Sequence, residues 1–520
     1  ELSELKRRGV ARRILVVRRL YSADWSAGFG CAAHAIGGIA GRSVCRIGEV
    51  QVAREVAPLP PGPRSPGFWQ LLHYSRSPLP FLEGCARRYG DPFTVRWAGY
   101  GRFVMLASPD AVRDVFRGDP RALHSGEGNE FLTASVGRNS VLVLDDERHA
   151  RQRRVLLPPL KGERMRAFFE AMQAATVETT RAWPIGRTLG MLDPMQQITL
   201  RVILQAVLGL QPSARLEDFA VRVRRVLELG RGRYGLILVK LLPVELLQRT
   251  RWLPFYQRLH ELDEALFALI EDQRRVPAGD RGESVLSDLL TACHEDGAPL
   301  SGQEIRDALV TLIFAGHDTT AVALAWALEQ IVPRADVVER ITEELDRTTG
   351  GGPPRADQLS QLEYLDAAIR ESLRIRTIMP FVVRLTKVGF TAGGREYPPG
   401  VVLCPCSHLV HRREDLYPEP DRFRPERFLE RHYAAHEWFP FGGGSRMCLG
   451  ISFALYEMKV VLSTLFATVR LSRPPGLRSS PIRRGLALVP DDEAQLTVVG
   501  RRSETSTTAD SALNDADRSE

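Results

Sequence analysis

A glycine-rich segment that ends in a cysteine is the part of the sequence best suited to chemistry. It reads FPFGGGSRMCLG over residues 439–450, and an apolar helical run follows from Ile451 to Leu465. Consecutive glycines let the backbone adopt positive φ and approach a flat group closely. The N-terminus of a helix stabilises a thiolate, and Arg446 adds positive charge two residues before Cys448. We therefore expect a thiolate at Cys448, with a buried structural cysteine beside a tight turn as the alternative.

A second candidate lies in the middle of a long predicted helix. Ser301 is the expected N-cap with Glu304 at the N3 position, and Pro333 ends the helical pattern. A helix of about 30 residues is about 45 Å long, enough to cross a domain. Its central stretch, AGHDTT at residues 315–320, concentrates residues that form helices poorly. Such a local conflict often marks a functional position.

A third group of polar residues resembles a metal-binding motif but has the wrong spacing. It has the pattern C-x-C-x-H-x-x-H, formed by Cys404, Cys406, His408 and His411. Alternation along a strand would place the two cysteines on one face, yet the spacing matches no common zinc finger. We interpret these four as strand and loop residues.

The elements that would position these residues are mostly helical. Helical periodicity runs through much of 160–275 and 302–349. Alternating runs at 93–96 and 103–106 predict two short strands joined at 99–101, and further strands are expected near 382–385 and 401–403. The fold class is therefore mainly α with small β-sheets (α+β), without internal repeats.

The composition is that of a soluble globular protein. Of 520 residues, 44% are hydrophobic and 26% charged, which excludes a disordered, collagen-like or disulfide-scaffold chain. The net charge of +7 is too mild to indicate nucleic-acid binding. Seven cysteines form an odd, sparse set that favours a reducing compartment, hence a cytoplasmic location. No run of 18 apolar residues predicts a transmembrane helix.

The two ends of the chain differ from the middle. Residues 1–57 are Arg-rich with a Gly/Ala patch, and we expect an extension that is disordered or not native, although a transit-like or membrane-surface helix is also open. A Pro-rich leader then opens a single domain over 58–502. Residues 503–520 are expected to be a disordered tail.

The segment Phe441-x-x-Gly444-x-Arg446-x-Cys448-x-Gly450 resembles the haem-binding signature of cytochrome P450. Three further motifs agree in order and spacing: AGHDTT at 315–320 resembles the oxygen-activation stretch, ESLR at 371–374 the Glu-x-x-Arg motif, and PERF at 425–428 the segment with its partner arginine. The resemblance covers about residues 58–502. It implies the cytochrome P450 fold, with a long central helix over haem b.

The resemblance also implies roles for individual residues. Cys448 would be the iron ligand, and its electron donation favours O–O cleavage. Asp318 and Thr319 would deliver protons during O₂ reduction, while Gly316 could open a groove for O₂ and water; the alternative is a threonine bonded to the previous turn. The resemblance further implies two sets of charged residues, namely propionate-binding His149, Arg153, Arg384 and Arg446, and structural Glu371, Arg374 and Arg427.

The resemblance places an apolar pocket beside the haem. None of its expected lining residues carries a charge, so a lipophilic substrate is expected. The apolar stretch 236–247 could be an access lid or a weak membrane contact, or simply helix core. The expected lining residues are Phe131, Leu132, Leu312, Ala315, Met379, Val382 and Leu486.

Electrons are expected to come from outside this chain. The sequence carries no Rossmann fingerprint, flavin module or plant-type iron–sulfur cluster motif. A ferredoxin with its ferredoxin reductase is therefore the expected donor, docking on a basic face made by Arg151, Arg154 and Lys459. We expect a monomer without nucleic-acid partners.

Together these features predict a soluble haem-thiolate monooxygenase of bacterial type. It would insert one oxygen atom from O₂ into a fatty acid, a terpenoid or a polyketide. A peroxide-using haem-thiolate enzyme is one alternative, and the pair Asp318–Thr319 argues against it because that class usually lacks an acid–alcohol pair. A non-catalytic haem sensor or carrier is the other, although the sequence shows no DNA-binding element.

Overall fold

The structure is a computed structural model that describes residues 58–230 and 254–502. The expected extension 1–57, the apolar stretch 236–247 and the expected tail 503–520 lie outside the described residues. Helices α1 to α17 span, in order, Gly67–Arg76, Pro78–Tyr89, Pro109–Arg117, Thr133–Val136, Asp146–Leu156, Glu163–Arg166, Phe169–Arg181, Leu192–Leu208, Ala214–Gly230, Pro254–Arg275, Val285–Thr291, Gly302–Ile331, Ala335–Thr349, Glu363–Ile375, Ser407–Val410, Arg427–Glu430 and Ile451–Thr468.

Short strands and 3₁₀ turns connect these helices. Strands β1 to β12 span, in order, Phe93–Trp97, Gly101–Leu106, Leu123–His124, Thr188–Gly190, Arg384–Thr386, Phe390–Ala392, Arg395–Tyr397, Val402–Pro405, Val469–Ser472, Pro481–Arg484, Ala487–Pro490 and Gln495–Arg501. The 3₁₀ turns are Glu127–Leu132, Pro158–Leu160, Ala278–Asp280, Ala356–Gln361 and Gly444–Arg446.

The long helix α12 begins where the sequence predicts. The side chain of Ser301 accepts a hydrogen bond from the backbone N–H of Glu304 at 3.2 Å, and Glu304 accepts from the backbone N–H of Ser301 at 2.9 Å, which confirms the capping box. The helix runs for 30 residues, and most of them are buried. It packs closely along α8.

Gly316 has a packing role in the structure, and the groove that it could open for O₂ and water stays a prediction. Helix α12 continues as a regular α-helix through residues 315–320. A Cβ atom at Gly316 would lie 2.9 Å from the Cδ1 atom of Ile203 on α8. The glycine therefore lets two buried helices approach each other, and this packing outweighs its poor helix propensity.

A five-stranded sheet in the order β1-β2-β8-β5-β3 holds the other end of the molecule together. Strands β1 and β2 pair antiparallel, which confirms the predicted strands at 93–96 and 103–106. Strand β8 pairs parallel to β2 and antiparallel to β5. Arg384 is the first residue of β5, so its backbone is fixed by the sheet.

The main hydrophobic core lies among the helices, with α8, α12 and α17 contributing many of its residues. Two smaller clusters contain alternate residues of β2: Phe103 and Met105 belong to one, and Val104 and Leu106 to the other. This alternation shows that both faces of the sheet are covered. Cys404 and Cys406 are fully buried in one of these clusters, on one face as the strand pattern predicts.

Two helices in the described part are long and apolar enough to cross a membrane, although no apolar run of 18 residues was found in the sequence. They are α12 and α17, with mean hydropathy of 1.5 and 1.3 over their most apolar windows. Within the protein, 72% and 61% of those windows are buried. Both helices therefore serve as core helices in this fold.

Candidate functional site

The segment 439–450, here called the cysteine loop, turns back on itself before α17. The backbone N–H of Cys448 donates to the carbonyl oxygen of Phe441 at 3.0 Å, and Gly450 is the N-cap of α17. Burial among protein atoms raises the pKa of the Cys448 thiol, while the Gly450 N–H and nearby Arg153 lower it. Cys448 nevertheless has an exposed surface. Cys448 is therefore accessible from outside the protein despite its position in a tight loop.

The three glycines of the cysteine loop are needed for different structural reasons. Gly442 and Gly444 adopt positive φ, at 68° and 66°, as the sequence predicts. Gly443 is extended, with φ of −163°. A Cβ atom at Gly443 would lie 2.4 Å from the ring of Phe116, and one at Gly444 would lie 2.3 Å from the carbonyl oxygen of Phe116. The second and third glycines thus provide space for α3 beside the loop.

Three arginines, here called the cysteine-loop arginines, converge on this loop. Arg153 on α5 donates to the carbonyl oxygen of Met447 at 2.7 Å. Arg384 on β5 donates to the carbonyl oxygen of Gly443 at 2.9 Å. The third, Arg446, belongs to the loop itself and reaches back to the segment before α5. The structure therefore brings together side chains from three separate regions of the sequence.

Arg446 binds the segment that leads into α5. It donates to the carbonyl oxygen of Leu144 at 2.7 Å and forms an ion pair with Asp145. The carboxylate of Asp145 also accepts hydrogen bonds from the backbone N–H groups of Ser125, Gly126 and Glu127. Glu127 is the first residue of a 3₁₀ turn, and the other two directly precede it. Among the residues that the structure describes, the buried Nε atom of Arg446 has no hydrogen-bond partner.

Positive charge is in excess around the cysteine loop. Burial and the neighbouring Arg446 and Arg153 lower the pKa of His149 to about 4. Burial and Arg446 also lower the pKa of Arg384 to about 10. Asp145 is the carboxylate that pairs with Arg446, and burial lowers the pKa of that arginine as well. A bound anion would therefore be stabilised here.

The acid–alcohol pair lies in the middle of α12. The side-chain amide of Gln196 on α8 donates to Asp318 at 2.6 Å. The hydroxyl of Thr319 donates to the carbonyl oxygen of Ala315, one turn earlier, which is the alternative that the sequence left open. Both side chains remain partly exposed, so they are accessible to small molecules.

A second group of buried charges, here called the Glu371 network, consists of Glu371, Arg374 and Arg427. Arg374 binds the Glu371 carboxylate in a bidentate manner, at 2.7 and 2.8 Å, and Arg427 donates to the same carboxylate at 3.0 Å. The carbonyl oxygen of His411 accepts from Arg374 at 2.7 Å. All three charged side chains are buried. The network joins α14 to the segment before the cysteine loop.

Comparison with known proteins decides what this arrangement is. A family model described as Cytochrome P450 matches residues 59–498. The chain belongs to the cytochrome P450 family. It is 35% identical to cytochrome P450 135B1 of Mycobacterium tuberculosis, over 86% of this chain and 93% of the relative. It is 31% identical to cytochrome P450 135A1 of the same organism, over 85% of this chain and 96% of the relative.

Solved structures agree on the fold. The retinoic-acid-bound cyanobacterial CYP120A1 superposes with a TM-score of 0.74 at 22% identity, covering 85% of this chain and 99% of that chain. The haem domain of cytochrome P450DA gives a TM-score of 0.71 at 22% identity, covering 85% and 96%. The predicted α+β cytochrome P450 fold is confirmed. The chain is a cytochrome P450 monooxygenase, and haem b is its cofactor.

The residues of this P450 fit a haem group. A porphyrin with two propionates needs a thiolate ligand and cationic partners for its carboxylates. The cysteine loop offers an accessible Cys448. The Nε atom of Arg446 lies within a surplus of positive charge and has no hydrogen-bond partner in the part of the chain that the structure describes. The observed donor set is therefore complementary to a dianionic ligand.

The expected substrate-lining residues occupy several elements of the P450. Val382 lies against the cysteine loop, because a Cβ atom at Gly442 would be 3.4 Å from its Cγ1 atom. Leu312 is buried on α12 and Ala315 is exposed on the same helix. Phe131 and Leu132 end the 3₁₀ turn after Gly126. Met379 and Leu486 are 37% and 36% exposed, and a backbone hydrogen bond from Leu488 to Ile378 joins their segments.

The structure changes the interpretation of one residue of the expected basic docking face and gives partners to the two histidines of the C-x-C-x-H-x-x-H pattern. Lys459 pairs with Asp366 at 3.3 Å and its side chain is only 14% exposed, so its predicted place on an exposed basic face is wrong. Arg154 is exposed and Arg151 partly exposed.

His408 is buried and bonds Glu83 at 2.8 Å, while His411 accepts from the backbone N–H of Phe439. These two histidines therefore have structural partners.

Three residues near the site were not predicted from the sequence, namely Asp145, Gln196 and Asp307. Asp145 directly precedes α5, where an aspartate normally caps its own helix, but its carboxylate instead holds residues 125–127 and Arg446. Its N-cap position was a readable signal, whereas its partners were not. Gln196 and Asp307 lie within helical patterns, where nothing distinguishes them from other polar residues.

Proposed function

We propose that this P450 inserts one oxygen atom from O₂ into a C–H or C=C bond of a lipophilic small molecule, namely a fatty acid, a terpenoid or a polyketide. The accessible Cys448 at the centre of the cysteine-loop arginines is the observation that carries this proposal. The expected lining residues, including Val382 against the cysteine loop, are uncharged. An uncharged lining favours an apolar substrate, because a fixed charge would have to be desolvated.

The chain's own residues would hold the cofactor and move protons. Cys448 would ligate the iron, while Arg153, Arg384 and Arg446, with a neutral His149, would bind the propionates. Haem, when bound, supplies the redox chemistry that activates O₂ and transfers one oxygen atom. Phe441 and Gly450 would shape the two ends of the ligand segment.

Asp318 and Thr319 would control the protons that O₂ reduction consumes. The hydroxyl of Thr319 bonds its own helix, and one rotation about χ1 would free it to hold a water molecule in the pocket. Asp318 accepts a hydrogen bond from Gln196, which orients its carboxylate, and its partial exposure would let it exchange a proton with solvent. The two side chains would thus form a relay from solvent to the pocket.

We further propose that a ferredoxin and its reductase supply the electrons, that the protein is a cytoplasmic monomer, and that any membrane contact is weak. No reductase module is present in the sequence. Arg154, and to a lesser degree Arg151, extend from α5, the helix that also carries Arg153 beside the cysteine loop. An acidic partner that binds these cations would approach the cofactor closely.

Spectroscopy and turnover test the proposal together. A library of lipids and terpenes is screened for a shift of the haem iron from low to high spin, and binders are incubated either with NADPH, ferredoxin reductase and ferredoxin or with hydrogen peroxide alone. Oxygenated product that depends on NADPH supports the proposal. Product with peroxide alone would identify a peroxide-using enzyme instead, and haem binding without product from any donor would identify a sensor or carrier.

Two substitutions separate the proposed roles. Cys448→Ala is expected to abolish the thiolate spectrum of the CO complex, while Cys293→Ala, at another exposed cysteine, leaves it unchanged. Thr319→Ala is expected to keep haem binding but to divert reducing equivalents to hydrogen peroxide, and Thr319→Ser is expected to restore coupling because it retains the hydroxyl. Unchanged coupling in Thr319→Ala would remove that residue from the proton relay.

A further inference from the structure

A buried carboxylate on α12 holds the loop that leads into α5. Asp307 is 1% exposed. Its Oδ2 atom accepts hydrogen bonds from the backbone N–H and the side-chain amide of Asn139, both at 3.0 Å. Its Oδ1 atom accepts from Gln303 at 2.8 Å and from Arg306 at 3.0 Å. Two of its four hydrogen bonds therefore go to its own helix and two to the loop.

The loop fits this carboxylate closely. Gly137 has a φ of 88°, and a Cβ atom there would lie 2.0 Å from Oδ1 of Asp307. One turn further along α12, the hydroxyls of Thr311 and Ser140 are hydrogen-bonded to each other at 2.7 Å. The loop segment 137–140 is thus fastened to α12 at two successive turns, and glycine is needed where the carboxylate is closest.

The fastened loop carries the groups that bind Arg446. Shortly after Ser140, the carbonyl oxygen of Leu144 and the carboxylate of Asp145 accept from Arg446, two residues before Cys448. Asp145 also holds the backbone of residues 125–127, which lead into the 3₁₀ turn that ends at Phe131 and Leu132. One loop therefore touches both the cysteine loop and the expected substrate-lining segment.

We propose that Asp307 is a positioning residue: it fixes the loop 137–145 so that Leu144 and Asp145 orient Arg446 beside Cys448 and restrain residues 125–132. The link to haem retention rests on the role proposed for Arg446, whereas the restraint of the loop does not. Because every partner of Asp307 is a hydrogen-bond donor, an amide in its place would set an N–H group against another N–H group.

A matched pair of substitutions tests the proposal. Arg306 binds two carboxylates, that of Asp307 at 3.0 Å and that of Asp263 on α10 at 2.6 Å. Among the contacts described for residues 58–230 and 254–502, Asp307 is hydrogen-bonded to the loop and Asp263 is not. Asp307→Asn and Asp263→Asn thus remove a similar charge from the same arginine. Amide hydrogen exchange by mass spectrometry, with and without haem, reports the loop, and the rate of haem transfer to apomyoglobin reports cofactor retention.

Asp307→Asn is expected to speed exchange in 137–145 and 125–132, and to speed haem loss, each about tenfold, because a hydrogen bond to a buried charge is lost. Asp263→Asn is expected to leave both readouts near the original values. Equal effects of the two variants, or unchanged exchange in 137–145, would overturn the proposal. If Asp307→Asn fails to fold, Asn139→Ala removes one of the two loop bonds and must raise exchange in the same segments, or the proposal fails.

Arg446→Met distinguishes this proposal from the proposed function. If Arg446→Met speeds haem loss and Asp307→Asn loosens the loop without doing so, Asp307 does not position the arginine and the inference is overturned. If neither variant changes haem loss while Asp307→Asn still speeds exchange in 137–145, the proposed role of Arg446 in binding the cofactor fails, and the positioning of the loop by Asp307 stands.

Discussion

Within the described ranges, the Glu371 network and the cysteine-loop arginines differ in how completely their charges are neutralised. In the Glu371 network one carboxylate binds two arginines, and nearby carbonyl oxygens accept their remaining N–H groups. Around the cysteine loop, Asp145 pairs with Arg446, whereas Arg153 and Arg384 donate to backbone carbonyl oxygens of the loop. The buried Nε atom of Arg446 has no hydrogen-bond partner within 58–230 and 254–502. Among the contacts of the described residues, the first group has its charges paired, and the second keeps an unpartnered Nε atom.

This difference separates a structural role from a binding role. A buried charge is tolerated when hydrogen bonds satisfy it, and removing one partner then leaves the others uncompensated. A surplus of positive charge is costly unless a ligand supplies an anion. Burial lowers the pKa values of His149 and Arg384 most, and the neighbouring Arg446 lowers both further. The Glu371 network should therefore govern folding, and the cysteine-loop arginines should govern cofactor retention.

Removing the shared carboxylate of the Glu371 network should give the largest effect. Glu371→Ala leaves Arg374 and Arg427 buried without their carboxylate, and is expected to lower the free energy of unfolding by about 3–5 kcal/mol. The matched control is Glu271→Ala, which breaks an exposed i, i+3 pair with Arg274 and should cost less than about 1 kcal/mol. Urea unfolding followed by circular dichroism measures both. Similar losses in the two variants would contradict the distinction.

A pair of arginine substitutions compares the two groups directly. Arg374→Met should destabilise the haem-free protein by about 3–5 kcal/mol, because it leaves a buried carboxylate half paired. Arg384→Met should cost about 1–2 kcal/mol, since lost hydrogen bonds to Ser125 and Gly443 are partly offset by relief of repulsion from Arg446.

Arg374→Met should be the less stable of these two variants, but Arg384→Met should be the one that loses haem faster. Arg384→Met is expected to speed haem transfer to apomyoglobin about tenfold, as removal of a charged hydrogen bond would. Arg374→Met, measured at a temperature where it stays folded, should retain haem nearly as well as the original protein. Equal haem loss in both would mean that the two groups of arginines do not differ in role.

The sequence predicts local partners much better than distant ones. Glu371 and Arg374 are i, i+3 on one helix, so their pairing follows from helix geometry alone. The resemblance to P450 was needed to add Arg427, which lies 56 residues further along. Asp145, about 300 residues from Arg446, gave no such signal, because periodicity indicates which face is buried and not what covers it.

Two departures from the sequence interpretation have a common physical origin. Gly316 was singled out for its poor helix propensity, but its closeness to Ile203 on α8 gives it a packing reason that the linear pattern does not show. Lys459 was expected on an exposed face, but Asp366 and the carbonyl oxygen of Leu359 hold its ammonium group. In both cases a neighbouring element, invisible in a linear pattern, decides what the residue does.

The pH dependence of stability should reveal the surplus of charge. His149 has a pKa of about 4 in the folded protein, against about 6.5 when unfolded. Between these values the unfolded chain binds a proton that the folded protein does not, so stability should fall as pH falls from about 6.5 to about 4. His149→Asn should remove this contribution. Buried His408 and His411 contribute equally to both proteins and cancel in the difference.

Haem should weaken that pH dependence, because propionates near His149 would raise its pKa toward the ordinary value. Urea unfolding of the haem-free and haem-loaded forms between pH 4 and 7 measures the effect, with exposed His432→Asn as the control. The quantity compared is the difference in free energy of unfolding between the original and His149→Asn proteins. If this difference changes equally steeply with pH in the haem-free and haem-loaded forms, no anion binds beside the histidine.

The smallest expected effect concerns the thiol itself. Burial raises the pKa of Cys448, and Arg153 opposes this with its positive charge. Arg153→Gln should therefore raise that pKa further, so that the thiolate forms only at higher pH and alkylation of Cys448 by iodoacetamide in the haem-free protein slows at pH 8. Exposed Cys293 in the same sample provides an internal control. If mass spectrometry finds both cysteines slowed equally, a general change in accessibility explains the result; slowing confined to Cys448 means that the cysteine-loop arginines favour the thiolate before any cofactor is bound.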